Sequence, residues 1–166
     1  MAVENLKSSA ITNADATPLV LTDAIVAKGR LQEAVGTKQA SASASIASTY
    51  RLVRIPSNAR VSQVLLYSDA FDTTGAADVG LYDVNGGAVV AADFFASAVV
   101  LTSALNGSDV THESAVFGVE DAEKPLWEAL GLSADPHKSY DVALTLTAAN
   151  GAGATPDVTL KVRYVI

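Results

Sequence analysis

Two stretches near the end of the chain alternate apolar and polar residues with a period of two. In YDVALTLT, Tyr140, Val142, Leu144 and Leu146 share one side; in DVTLKVRYVI, Val158, Leu160, Val162, Tyr164 and Ile166 do the same. Successive side chains of a strand point to opposite faces, so such runs require a sheet with one face buried. An Asn150-Gly151 pair opens the intervening GAGATP loop, and Asn and Gly accept the positive φ that tight turns use. The two runs therefore read as an antiparallel pair around a hairpin loop. Val142, Leu144, Leu146, Val158, Leu160 and Val162 are expected in the core.

The rest of the chain extends this pattern. Residues 28–37 read as a strand despite Gly29 and Gly36, and QASASASIAST follows as a small-residue linker or flat edge strand. Residues 49–55 and 61–68 are rich in Val, Ile, Leu and Tyr, with PSNA as the turn between them. A further strand is expected at 77–84, and Asn85-Gly86 and Asn106-Gly107 supply two more turn signals. PLVLT at 18–22 reads as a short strand and residues 94–98 as a helical turn. VEDAEKPLWEALGL reads as the main helix over Leu126–Leu130, capped by Asp121 and stopped by Gly131. Short strands between turn signals predict a mainly β fold, a jelly-roll-like β-sandwich with one short helix. Its 166 residues suit one domain, assigned to residues 18–166. Residues 1–17 are small and polar and read as an extended arm, with Val3, Leu6 and Ile11 as apolar points of contact.

Several function classes are disfavoured. With no cysteine, neither a disulfide framework nor a thiolate metal site can form. The N-terminal residues lack the basic-then-apolar order of a secretory signal, and the apolar run 88–101 is too short to span a bilayer and is broken by Asp93. A net charge of -7 argues against a general nucleic-acid binder. The charge is also unevenly spread. Residues 28–60 hold six bases against Glu33, and residues 69–135 hold twelve acids against Lys124. The segments either become neighbouring strands that neutralise one another, or form a two-signed surface that docks on copies of the chain or on another protein.

Motifs that carry chemistry are sparse. His112 and His137 sit in polar loops without ligand spacing, and there is no nucleophile elbow, phosphate loop or dinucleotide turn. Asp69, Asp72, Asp78 and Asp83 match no calcium loop and read as solvated turns. No cofactor is implied and no catalytic residue stands out. An aromatic content of 6% leaves few stacking platforms for a sugar. The candidate contact residues are the arm's Val3, Leu6 and Ile11 together with Arg51, Arg54 and Arg60 of YRLVRIPSNAR. Strand alternation puts Arg51 and Arg54 on opposite faces, so one of them must escape at a strand end or lay its stem on apolar surface.

The runs STYRLVRIPSNARVSQVLLYSDA, ADVGLYDVNGGAVVAADFFASAVVLTSALNGSDVTHES, FGVEDAEKPLWEALGLSADPHKSYDVALTLTAA and TLKVRYV resemble small structural proteins of tailed bacteriophages encoded near the major capsid protein. The resemblance covers residues 18–166 and rests on whole-chain texture. It implies a head decoration, or cement, protein on the capsid exterior, made in the host cytoplasm. The implied partners are the major capsid protein and the chain itself, as a homotrimer, with no nucleic acid and no membrane. It transfers no catalytic residue. A tail or baseplate component, or a host-surface carbohydrate-binding jelly roll, is the alternative.

Overall fold

A computed structural model describes residues 4, 6–151 and 153–166, so Val3 lies outside the described residues. Eight strands build two antiparallel four-stranded sheets. The first runs in the order β1 (Leu31–Gln39), β8 (Asp157–Val165), β3 (Arg60–Ser68), β6 (Leu105–Asp109). The second runs β2 (Thr49–Pro56), β7 (Ser139–Ala148), β4 (Ala76–Asp83), β5 (Val89–Val100). The ladders are nested, β1 with β8, β2 with β7, β3 with β6 and β4 with β5. The chain is thus one long hairpin, tipped at Asn85-Gly86 and rolled into a sandwich, which is the jelly-roll connection.

The six core residues expected from the alternating runs are all buried, at 0–1% exposure. Their strands do not pair with each other, however. β7 and β8 lie in opposite sheets, and GAGATP crosses between them rather than closing a hairpin. PSNA likewise carries the chain from β2 in one sheet to β3 in the other. The physical reason is that alternation reports which face is buried, and two facing sheets share one core. Ile166 is exposed. Val165 is buried in its place, because a Cβ on Gly29 would stand 2.2 Å from its side chain, so the residue 29 backbone already lies against it.

Other local expectations change for similar reasons. Phe94–Ala98 is strand, not helix. Here β5 bulges, stepping from Ala91 to Ala96 while β4 steps only from Leu81 to Val79. The bulge turns Phe94 and Phe95 inward onto Phe117, with ring centroids 5.0–5.4 Å apart. Gly80 accommodates it, since a Cβ there would sit 2.1 Å from the Ala91 carbonyl oxygen. Asn106-Gly107 is no turn but a bulge within β6, where Gly107 has φ +76° and the register with β3 shifts. PLVLT forms no strand.

The helix expected at Leu126–Leu130 shrinks to a single turn, Leu126–Ala129, with Pro125 at its N-cap and Gly131 beyond it at φ +73°. Asp121 does not cap it. Its carboxylate closes the preceding 3-10 helix, Val119–Asp121, by accepting from the Gly118 N–H at 3.3 Å and from Lys124 Nζ at 2.7 Å. The arm is not extended throughout. Ser8 caps a longer helix, Ser9–Ala14, that buries none of its residues.

Candidate functional site

The constraint that strand alternation sets on Arg51 and Arg54 is lifted by a bulge. β2 pairs Arg51 with Ala143 and Val53 with Val142, so Leu52 is an extra residue without a partner. One extra residue reverses the alternation, and both arginines reach the same carboxylate on the outer face of the second sheet. Arg54 Nε donates to Asp141 Oδ1 at 2.7 Å and its Nη2 donates to Oδ2 at 3.2 Å, while Arg51 Nη1 lies 3.5 Å from Oδ2. The hydrogen bond from Arg54 to Asp141 raises the guanidinium's pKa. Arg51 also donates to the backbone carbonyls of Asp83 and Gly87, and its guanidinium carbon lies 4.9 Å from the centre of the Tyr82 ring. Across the sandwich, Gly36 leaves room for the bulge, because a Cβ there would stand 1.8 Å from the Leu52 carbonyl oxygen.

Two open clefts share Arg54. One, of ≈ 410 Å³, is lined by Arg51, Leu52, Val53, Arg54 and Asp141. The other, of ≈ 500 Å³, continues past Ser57 to Asp135, His137 and Lys138. Lys138 Nζ sits 2.6 Å from Asp83 Oδ1 and 4.9 Å from the Tyr140 ring centre, and the Asp83 hydrogen bond raises its pKa. Ser57, Asp135 and His137 have the composition of a catalytic triad but not its geometry. The Ser57 hydroxyl donates to Asp135, not to a histidine, and Asp135 also accepts from the His137 backbone N–H at 2.9 Å. A nucleophile bonded to a carboxylate with no base between them is a loop brace.

The structure gathers Arg51 and Arg54 but not Arg60. Arg60 lies in the other sheet, where Nε donates to the Ile25 carbonyl at 2.8 Å and Nη1 to the Ala122 carbonyl at 3.2 Å. It fastens the N-terminal segment and the 3-10 turn to β3. Leu6 and Ile11 are exposed at 83% and 52%. The exposed apolar surface continues through Leu19, Val20 and Leu21, which the sequence reading assigned to a strand. Those three residues line an open cleft with Ala10, Ala14 and Ala27. Asp141, Lys138 and Tyr82 were also missed. The available signal was Asp141 itself, an acid on the outward side of an otherwise apolar run.

The titratable groups noted in the sequence have separate structural roles. The four turn aspartates do not converge. Asp69, Asp72 and Asp78 accept from the backbone N–H groups of Asp157, Thr73 and Ala98, and Asp83 meets Lys138. Among the described residues no three His, Cys, Asp or Glu side chains could hold a metal ion. His112 stacks on Phe117 with 5.1 Å between ring centres, and the exposed His137 lies 3.2 Å from Asp135.

On the outer face of the first sheet a polar ladder runs from Asp109 through Gln63 and Arg163 to Glu33, each step 2.9 Å. Burial raises the Asp109 pKa, but hydrogen bonds from Thr111 and Gln63 outweigh it and hold the carboxyl below its usual value. The Arg163 hydrogen bond lowers Glu33, and the Ser57 hydrogen bond lowers Asp135. A carboxylate depressed in the folded state adds stability above its unfolded pKa, and that contribution disappears as pH falls through the folded value. Thermal melts should therefore hold steady down to the unfolded carboxylate values, about 3.9–4.3, and drop steeply below them. Glu33→Gln should shrink that drop; an unchanged acid limb would show that Glu33 plays no part in it.

No family model matches the sequence, and no curated protein matches it. The fold is found in solved structures. A chain of the cyanophage Pam1 capsid asymmetric unit matches with a TM-score of 0.53 at 18% identity, over 83% of this chain and 86% of that one. A chain of the capsid of Ralstonia phage GP4 matches with a TM-score of 0.59 at 17% identity, over 82% and 84%. What the three share is a fold. At such identities no residue role transfers between them.

Proposed function

We propose that this chain is a non-enzymatic virion structural protein of a tailed bacteriophage, which binds the outer surface of the capsid and stabilises it. The observation that carries the reading is the jelly roll shared, over more than four fifths of each chain, with chains from two phage capsid structures. The resemblance of residues 18–166 to virion structural proteins encoded near the major capsid protein points the same way. In this reading the partners are the major capsid protein and the chain itself, as a homotrimer. The single β domain is the docking body. The N-terminal arm, with Leu6 and Ile11 exposed, gains contacts on a neighbouring subunit or on the shell.

The test is binding to purified shells that lack this protein. Full-length chain should bind at a copy number set by the capsid lattice. A variant lacking residues 2–15 should stay folded, because the Ser9–Ala14 helix buries nothing, yet be retained less well. Ordering such an arm costs roughly 1–2 kcal/mol per residue in backbone entropy, so only repeated contacts hold it in place. A few copies at a single vertex would identify a tail component instead, and no binding at all would overturn the proposal. Equal retention of the truncated chain would remove the arm from it.

A further inference from the structure

Three tyrosine rings of the chain carry a cation and its only tryptophan does not. Arg51 stands over Tyr82, Lys138 over Tyr140 and Lys161 over Tyr67, at 4.9, 4.9 and 5.9 Å from the ring centres. An indole attracts cations more strongly than a phenol ring. Yet among the described residues no Lys or Arg lies over Trp127, which is half-buried.

Trp127 lines an open cleft of ≈ 350 Å³ with Ile25, Pro125 and the acids Asp23, Glu123 and Glu128. No base lines it, and none of the three acids makes an ion pair among the described residues. The bases that approach it are taken up by other partners. Arg60 donates to the Ile25 and Ala122 carbonyls, and Lys124 pairs with Asp121 at 2.7 Å. Lys28 lines the separate cleft of Leu19–Leu21, and neither it nor Arg30 pairs with an acid among the described residues. With Glu120 and Asp121 counted, five acids stand against Arg60 and Lys124, so the cleft keeps a net negative charge. Its walls are fixed in advance. Arg60 holds Ile25 by its carbonyl, and the Leu126 and Trp127 N–H groups donate to the Ala59 and Ser57 carbonyls at 2.9 and 3.0 Å. A ligand entering such a cleft loses little free energy to ordering the site.

We propose that this cleft receives an arginine side chain from a protein other than this chain. A guanidinium stacks flat on an indole, is more weakly hydrated than an ammonium, and presents several donors to carboxylates at once. A second copy is a poor source of it. Four of the chain's five arginines, Arg51, Arg54, Arg60 and Arg163, are already hydrogen-bonded within it. The inference rests on the proposed function only in taking the shell as the protein that supplies the arginine.

Because Trp127 is the only tryptophan, its emission reports on this cleft alone. N-acetyl-arginine amide, with one positive charge and no charged ends, is titrated into the full chain. Emission should change saturably, and the response should weaken toward 1 M salt, where the screening length falls to about 3 Å. N-acetyl-citrulline amide, of the same shape without the charge, should give no saturable change at the same concentrations. Glu123→Gln with Glu128→Gln, both exposed and free of ion pairs, should weaken arginine binding roughly fivefold, as expected for two partly exposed pairs. The same variant should be retained less well on purified shells that lack this protein. Circular dichroism confirms that it is folded.

No saturable change in emission overturns the proposal, as does an equal response to citrulline or an arginine affinity unmoved by the two substitutions. Altered sedimentation of the variant with unchanged shell retention also overturns it, by making a second copy the occupant. Wild type that binds shells yet ignores arginine removes this site and leaves the capsid reading in place. An arginine response without shell binding keeps the site and removes the capsid reading.

Discussion

Leu144→Ala should destabilise the protein by about 2–5 kcal/mol. Leu144 is fully buried in the middle of β7, paired with Tyr50 on one side and Val79 on the other. Both neighbouring strands are held by their own ladders, so the backbone cannot move in to fill the space. The cost is then the lost transfer free energy of the side chain together with a cavity. Denaturant unfolding should show a lower midpoint at unchanged m, the sign of a stability change without a change in exposed surface. A loss well under 1 kcal/mol would mean that the core repacks around the site, and that the two sheets are less firmly spaced than their ladders imply.

Asp141→Ala should come next in size, at roughly 1.5–3 kcal/mol, the range for hydrogen bonds to charged groups. The Asp141 side chain is only 8% exposed and serves two guanidiniums. The full penalty of an unpaired buried charge does not apply, because Arg54 is half exposed and Arg51 retains two carbonyl acceptors. Asp141→Asn keeps an oxygen for Arg54 and should cost less than alanine. Equal losses for the two variants would show that the charge, not the acceptor geometry, stabilises the site. No loss for either would show that the cluster adds nothing to stability.

Alternation made the buried faces legible, and every residue assigned to the core from YDVALTLT and DVTLKVRYV proved buried. Which strands pair was not legible, because a stripe of valines and leucines looks the same whether its neighbour lies beside it or across the core. The three Asn-Gly pairs show the same limit. One tips a hairpin and one makes a bulge, both through left-handed backbone, while the third opens a crossing between sheets where the buried Asn150 side chain donates to the Ser41 and Ala154 carbonyls. The site was hidden by a single event. No Gly or Pro marks the extra residue at Leu52, so strict alternation sent Arg51 and Arg54 to opposite faces. Arg60 was misread for another reason. Its partners are backbone carbonyls of Ile25 and Ala122, distant in sequence, and no side-chain pattern announces a carbonyl. The arm's helix depended on one hydroxyl, that of Ser8, accepting from the Ile11 N–H at 3.4 Å.

The nested ladders have a consequence for how the protein comes into being. Leu31 pairs with Val165 and Gln39 with Asp157, so β1 waits for almost the whole chain before it has a partner. The Asn85-Gly86 hairpin of β4 and β5 can close early, whereas each further ladder joins segments more distant in sequence. Closing such loops costs entropy before contacts reward it, which slows folding to the millisecond-to-second range common for β-sandwiches. During synthesis β2 and β3 emerge with their apolar faces uncovered, and β7 and β8 arrive last to cover them. The acids of 69–135 are made in that interval. Their mutual repulsion keeps half-made chains apart while those apolar faces are still uncovered.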